Sequence, residues 1–324
     1  MKFDDEDVFI GIDLGGTNVR VAAITGQGKL INNLETLIKA NEGPTEGLKK
    51  ILTLISQVID QMQQPIRAIG VGSTGPLDRE RGCIQNPYTL PGWEDVDIVS
   101  AIGLQFGVPV ALENDADAAA LGESWLGGGK NSKRLAMVTI GTGVGTAFIF
   151  DGKIYRGVLE SHPEGGHILI DPNGPACYCG ANGCLESLVS GPSIALQANA
   201  FYNDSRFLIK NTNGNPNLLD AALVFQGAKN GDLYCRQLVD RIANYIGLGL
   251  VTIMMLYIPD CILLSGGVFR SYSLMKGTIE NVINRHNVII PADQVRIDFA
   301  KLSQQSGVFG AARAAQLLVN SGGL

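Results

Sequence analysis

"VFIGIDLGGTNVRVAAITGQGKLI", Val8 to Ile31, and "LAMVTIGTGVGTAFIFDGKIY", Leu135 to Tyr155, follow one plan. Each is an apolar run, a glycine-and-threonine turn, a second apolar run, a turn holding Gly-Lys, and a third run. Val- and Ile-rich runs bounded by glycine are strand signals. One plan used twice predicts two domains built alike, although two ordinary hairpins share the same local pattern.

Between and beyond these hairpins the pattern alternates. Leu48, Ile51, Leu52, Ile55, Val58 and Ile59 fall at helical spacing within Thr45–Met62. "IRAIGVGSTG" is a buried strand ending in a glycine turn, a helix is expected around Ile98–Phe106, and "VPVALEND" is a further strand. "ADAAALGESWL" is helical by its alanine content, with Asn114, Asp115 and Asp117 at its start. "GVFGAARAAQLL", Gly307 to Leu318, closes the pattern as a helix. Alternating strands and helices predict an α/β fold with a mostly parallel sheet and ligands at the strand ends.

The 324 residues exceed what one small core organises. A net charge of −6 without a basic block gives nothing to attract nucleic acid or an anionic membrane. The N-terminal residues are acidic and lack the apolar stretch of a secretory signal. Tyr245 to Ile258, "YIGLGLVTIMMLYI", is shorter than the roughly 20 residues of a membrane span and stops at Pro259, so it is expected as a buried helix feeding the strand "CILLS". A soluble, cytoplasmic protein is expected. Cys83, Cys235 and Cys261 are scattered and are expected as small buried hydrophobes.

"DLGGTN", Asp13 to Asn18, offers backbone N–H groups through Gly15 and Gly16, and hydrogen bonds from Thr17 and Asn18, to a phosphate. Asp13 is suited to position a hydrated magnesium. "GTGVG", Gly141 to Gly145, is a second such turn, and the pair together suggest a triphosphate clasped between two hairpins. Alone, either is also an ordinary strand turn. "WLGGGKNSK" is not a Walker A loop, because the required earlier glycine is missing and Asn131 follows Lys130. "LEND" ends a strand and opens a helix, where Asp115 serves either as a cap or as a base that takes a proton from a hydroxyl. His167, Cys177, Cys179 and Cys184, spaced H-x9-C-x-C-x4-C, are a complete tetrahedral zinc set with no open position, so that such a zinc is structural. Gly180 and Gly183 permit the tight turns this loop needs.

Together these residues resemble the ROK family of repressors, open reading frames and sugar kinases, especially its glucokinase branch, over essentially the whole chain. The motifs are "DxGGT" at Asp13–Thr17, "ENDA" at Glu113–Ala116, "GTGxG" at Gly141–Gly145, "ExGH" at Glu164–His167 and "CxCGxxGCxE" at Cys177–Glu186. The resemblance implies an actin-like, hexokinase-type (ribonuclease H-like) fold of two domains with a cleft between them. The implied division is residues 1–117 with 307–324 as a small α/β domain, and 118–306 as a large α+β domain.

The resemblance also implies site residues. Asp115 is the base, and Asn86, Asn114, Glu164, His167 and Glu186 hold the sugar. Asp13, Gly15, Gly16, Thr17, Asn18, Thr142 and Gly143 serve the phosphates of Mg-ATP, and Gly266 and Gly267 in "SGGV" form the adenosine-side turn. His167 is expected to face zinc with one ring nitrogen and sugar with the other. The implied activity is phosphorylation of a hexose 6-hydroxyl, glucose foremost, by a homodimer or homotetramer. The chain departs from the family at "ESHPEGGH", which is closer to family fructokinases, and at Asn18, where lysine is common. Fructose, N-acetylmannosamine and N-acetylglucosamine are therefore alternative substrates. A non-catalytic sugar sensor is the reading of another class. A repressor is disfavoured, since the first hairpin starts at Val8 without the several dozen residues of a helix-turn-helix.

Overall fold

The computed structural model describes residues 3–39, 42–286, 289 and 291–322. The chain begins with β1 (Val8–Leu14), β2 (Asn18–Thr25), β3 (Leu30–Leu37), α1 (Pro44–Asp60), β4 (Ile66–Ser73), β5 (Leu77–Asp78), β6 (Cys83–Asn86) and β7 (Trp93–Asp97). Next come α2 (Ile98–Phe106), β8 (Val110–Asn114), α3 (Asp115–Leu126), β9 (Arg134–Ile140), β10 (Val144–Phe150) and β11 (Lys153–Ile154). A helical stretch follows, with α4 (Leu185–Val189), α5 (Gly191–Asn199), α6 (Arg206–Asn211), α7 (Ala221–Lys229) and α8 (Leu233–Tyr257). The last elements are β12 (Cys261–Ser265), α9 (Tyr272–Arg285), β13 (Arg296–Phe299) and α10 (Ser306–Asn320).

Two five-stranded sheets share one strand order, β3-β2-β1-β4-β8 and β11-β10-β9-β12-β13. In the first, β2 runs antiparallel to β1 and β3, while β4 runs parallel to β1 and β8. In the second, β12 runs parallel to both β9 and β13. The repetition expected from the two hairpins therefore extends to whole sheets. A small third sheet, β5-β6-β7, ends in Asn86 and Trp93.

The residues group into two compact units, one of Met1–Lys133, Ala147–His162 and Ala300–Leu324, the other of Arg134–Thr146 and Pro163–Phe299. In the first unit, side chains of β1 alternate between two cores, as strand pleating requires. Val8, Ile10 and Ile12 join Ile51, Ile55 and Val58 of α1, while Phe9 joins Val308, Phe309 and Ala312 of α10. A sheet covered on both faces needs apolar residues at successive positions, and β1 and β4 supply them. The expected division at residue 117 differs from this grouping, which keeps all of α3 with the first unit. The reason is the close packing of α3 against α10, where a Cβ at Gly310 would lie 1.5 Å from the Ala118 carbonyl oxygen.

In the second unit α8 is the core helix, with Leu238, Ile242, Ile246, Leu250 and Ile253 buried along it. Among the described residues it is the one helix long and apolar enough to cross a membrane, and most of its apolar window is buried inside the protein. It begins at Leu233, earlier than the apolar run in the sequence, because the polar residues of its first turns are helical as well. Asp232 caps it, its carboxylate accepting from the Cys235 N–H at 3.0 Å.

Candidate active site

In the first unit, β8 runs straight into α3 at the "LEND" stretch. Asn114 is the cap, its Oδ1 accepting from the Ala116 N–H at 2.9 Å, and Asp115 is the first helical residue. The cap position is thus held by the neighbour. Its Oδ1 also accepts from the Ala116 N–H, at 2.8 Å. Burial raises its pKa to about 6, the Asp13 charge adds to the rise, and the Ala116 N–H and His162 oppose it. A carboxylate poised there is ionised at neutral pH yet basic enough to accept a proton.

Asp13 is the one half-buried residue of β1 and has Arg20 at 3.4 Å. Burial raises its pKa against the pull of that arginine. Gly15, Gly16 and Thr17 form the turn into Asn18 at the start of β2, closed by the Gly15 N–H donating to the Asn18 carbonyl at 3.0 Å. Asp117, one turn into α3 and 2% exposed, also has its pKa raised by burial to about 6, with His162 opposing. Glu113 is buried and held by Arg79 at 3.0 Å and by Arg156. These buried charges under Asp115 were not singled out from the sequence, because nothing in the spacing of Arg79 or Arg156 marks them as partners of Glu113.

Asn86 departs from its expected role. It is fully buried, its Nδ2 donating to the Thr74 carbonyl at 3.2 Å and to Thr89 Oγ1 at 2.6 Å. Its Oδ1 accepts from the N–H groups of Tyr88 and Thr89 at 2.9 and 3.0 Å. With both ends of the amide occupied, Asn86 pins the loop after β6 and does not present itself to a sugar.

In the second unit, the four residues expected as zinc ligands come together. The ligand atoms of His167, Cys177, Cys179 and Cys184 all lie within 4.8 Å of one another, and the three cysteines are free thiols. Cys177 Sγ is 3.4 Å from His167 Nδ1, and Cys179 Sγ is 3.5 Å from Cys184 Sγ. Sulfurs on one tetrahedral zinc stand about 3.8 Å apart, given Zn–S bonds of about 2.3 Å, so the donor set and its size fit that ion. Gly180 and Gly183 take φ values of 97° and 69°, the left-handed region in which glycine is unstrained.

Glu186 sits in the first turn of α4, two residues after the ligand Cys184 that precedes this helix. Its Oε2 accepts from the Val144 N–H at 2.8 Å, and a Cβ on Gly143 would come within 2.6 Å of that oxygen. The zinc loop and the Gly141–Gly145 turn are thereby joined through one carboxylate. Glu164 is exposed, just ahead of the short 3-10 turn Gly165–His167. His167 faces the thiols with Nδ1, but its Nε2 is 3.0 Å from the Tyr178 hydroxyl, a partner the sequence did not announce because Tyr178 fills a variable place in the motif.

A cavity of about 800 Å³ opens in the same unit. Gly141, Thr142, Gly191 at the start of α5, Phe225, Lys229 and Gly267 are among the residues lining it. The Gly191 N–H donates to the Gly141 carbonyl at 2.8 Å, bringing a helix start to the glycine turn, a favourable place for an anion. Gly266 has φ 96° and packs on Ile140, turning the chain out of β12 beside the cavity. Thr142, Gly143, Gly266 and Gly267 are thus brought together, with an apolar wall that includes Phe225, Val268 and Leu274.

Residues 9–317 match the ROK family. A glucokinase of Halalkalibacterium halodurans is 30% identical over 313 residues, covering 93% of each chain. A xylose repressor of Caldicellulosiruptor bescii is 26% identical over 312 residues, which cover 94% of this chain and 77% of the repressor. The crystal structure of the ROK hexokinase from Thermus thermophilus superposes with a TM-score of 0.87 at 29% identity, covering 97% of this chain and 99% of the other. The mixed α/β architecture with two like sheets is the actin-like, hexokinase-type fold of these proteins.

Proposed function

The chain belongs to the ROK family, and from that premise we propose that it transfers the terminal phosphoryl group of ATP to the 6-hydroxyl of a hexose, with glucose as the favoured substrate. The observation that carries this reading is Asp115, a buried carboxylate at the start of α3 with its pKa near 6 and the cap position held by Asn114. Asp115 accepts the hydroxyl proton as the sugar oxygen forms its bond to the terminal phosphorus. The bond from that phosphorus to the bridging oxygen breaks, and ADP leaves. Proton acceptance of this kind contributes about 10²–10⁴-fold, and positioning and charge neutralisation supply the rest.

The remaining roles extend this reading. Glu164, His167 and Glu186, with Asn114, hold the other sugar hydroxyls. Gly15, Gly16, Thr17, Asn18, Thr142 and Gly143 take the phosphates, and the cavity beside Gly267 takes the nucleoside. Asp13 is suited to hold a hydrated magnesium, whose charge, when bound, offsets that of the phosphates. His167, Cys177, Cys179 and Cys184 would hold a zinc, which supplies structure only, since four protein donors leave no place for water. The implied setting is cytoplasmic and the implied assembly a homodimer or homotetramer.

A second reading, a sugar sensor without turnover, is favoured by the similarity to a xylose repressor. An ATP-coupled assay over glucose, mannose, fructose and the N-acetylhexosamines separates the two. Turnover with glucose preferred supports the kinase. Sugar binding with no ADP release on any of them supports the sensor. The "ESHPEGGH" departure makes fructose and the N-acetylhexosamines the informative competitors.

A further inference from the structure

We infer that Tyr178 sets the affinity for hexose by placing its own hydroxyl where a sugar hydroxyl binds. This rests on the hexose-kinase reading of the site. Tyr178 stands between two zinc ligands, Cys177 and Cys179, and its side chain is 83% exposed, so burial does not hold it in place. Its tip is held instead. The hydroxyl is 3.0 Å from His167 Nε2, with the two rings edge to face at 89° and 5.0 Å between centroids. The negative charges of Glu186 and Glu164 act on the same hydroxyl. The three residues assigned to sugar in this unit all converge on one phenol.

The donor pattern makes the substitution a chemical one. With Nδ1 turned to the proposed zinc position beside Cys177 Sγ, the ring proton would belong on Nε2, which then donates to the Tyr178 oxygen. A sugar hydroxyl at His167 Nε2 would accept in the same way, so sugar and phenol compete for one donor. A ring with so little buried surface is displaced at the cost of its hydrogen bond alone, the range of one net hydrogen bond being roughly two- to tenfold in affinity. The constant Cys177 and Cys179 backbone around it keeps the phenol close by, ready to return when sugar leaves.

Tyr178→Phe keeps the ring and removes the competing hydroxyl. Titration of glucose by calorimetry should give a Kd lower than that of the wild type by roughly two- to tenfold. The KM should fall in step, kcat should stay within about twofold, and zinc content by elemental analysis should be unchanged. A Kd that is unchanged overturns the inference, and so does one that rises, which would make the Tyr178 hydroxyl a ligand of bound sugar. Tyr178→Ala, which also removes the ring, should lower Kd as well; a rise there with normal zinc content counts against the inference. Wild-type protein that binds no hexose overturns the kinase reading itself, an outcome read before either variant is compared.

Discussion

At Asp115 the burial that makes a base also costs stability. Its folded pKa of about 6 lies above the unfolded value of about 3.9. A raised carboxylate pKa gives stability that is present below the unfolded value and lost as pH rises through the folded one. At pH 8 the ionised, buried carboxylate therefore costs up to about 3 kcal/mol. Asp115→Asn should unfold at higher urea than the wild type at pH 8, and the gain should vanish toward pH 4. The same carboxylate must be ionised to act, so kcat should rise through about pH 6 and level above it. Because the Asp13 charge raises that pKa, Asp13→Asn should move the acidic limb to lower pH in whatever activity remains. An unmoved limb would remove Asp13 as a neighbour that tunes the base. The sequence marked Asp115 and left it divided between cap and base, since both duties fall at the same place between strand and helix. What separates them is position, Asn114 being the extended residue ahead of α3 and Asp115 its first helical residue. Asn86 was misread for a related reason: a motif fixes which residue stands at a position and is silent on which neighbours its amide already satisfies.

The zinc loop and the two glycine turns belong to the scale of elements. Cys184 is fully buried directly before α4, and Glu186 follows within the first turn, so a proposed zinc ligand and a carboxylate proposed to hold sugar share one corner. Cys184→Ser should abolish zinc retention and raise the hexose KM by about tenfold or more, with a smaller change in kcat. Intact zinc with an unchanged KM would show that the corner is held by other means. This loop was legible residue by residue, because ligand chemistry and glycine turns are local. The packing of α3 on α10 was not, because it joins residues nearly 200 positions apart and rests on the absence of a side chain at Gly310. Gly310→Ala should lower unfolding stability by about 1–3 kcal/mol or more, measured by urea denaturation, as a methyl group is forced toward the Ala118 carbonyl.

At the scale of the whole molecule, two sheets of the same strand order carry two similar glycine turns, one followed by Asn18 and the other by Val144. That repetition was readable from two hairpins, since each pairs two near-continuous apolar runs across a glycine turn. The boundary between the units was not readable, because α3 looks equally like the end of one and the start of the other until α10 claims it. Each unit carries one of the two glycine turns, with the proposed base in the first and the residues proposed to hold zinc and sugar in the second. Elemental analysis should find one zinc per chain, in line with the single His-Cys cluster among the described residues. The most direct test is ADP release from ATP with glucose as acceptor, comparing wild type with Asp115→Asn. The expected result is steady turnover by the wild type and a fall of at least about 10²-fold in the variant, with glucose binding retained. Turnover by Asp115→Asn at the wild-type rate, or none by the wild type on any hexose, would contradict the account.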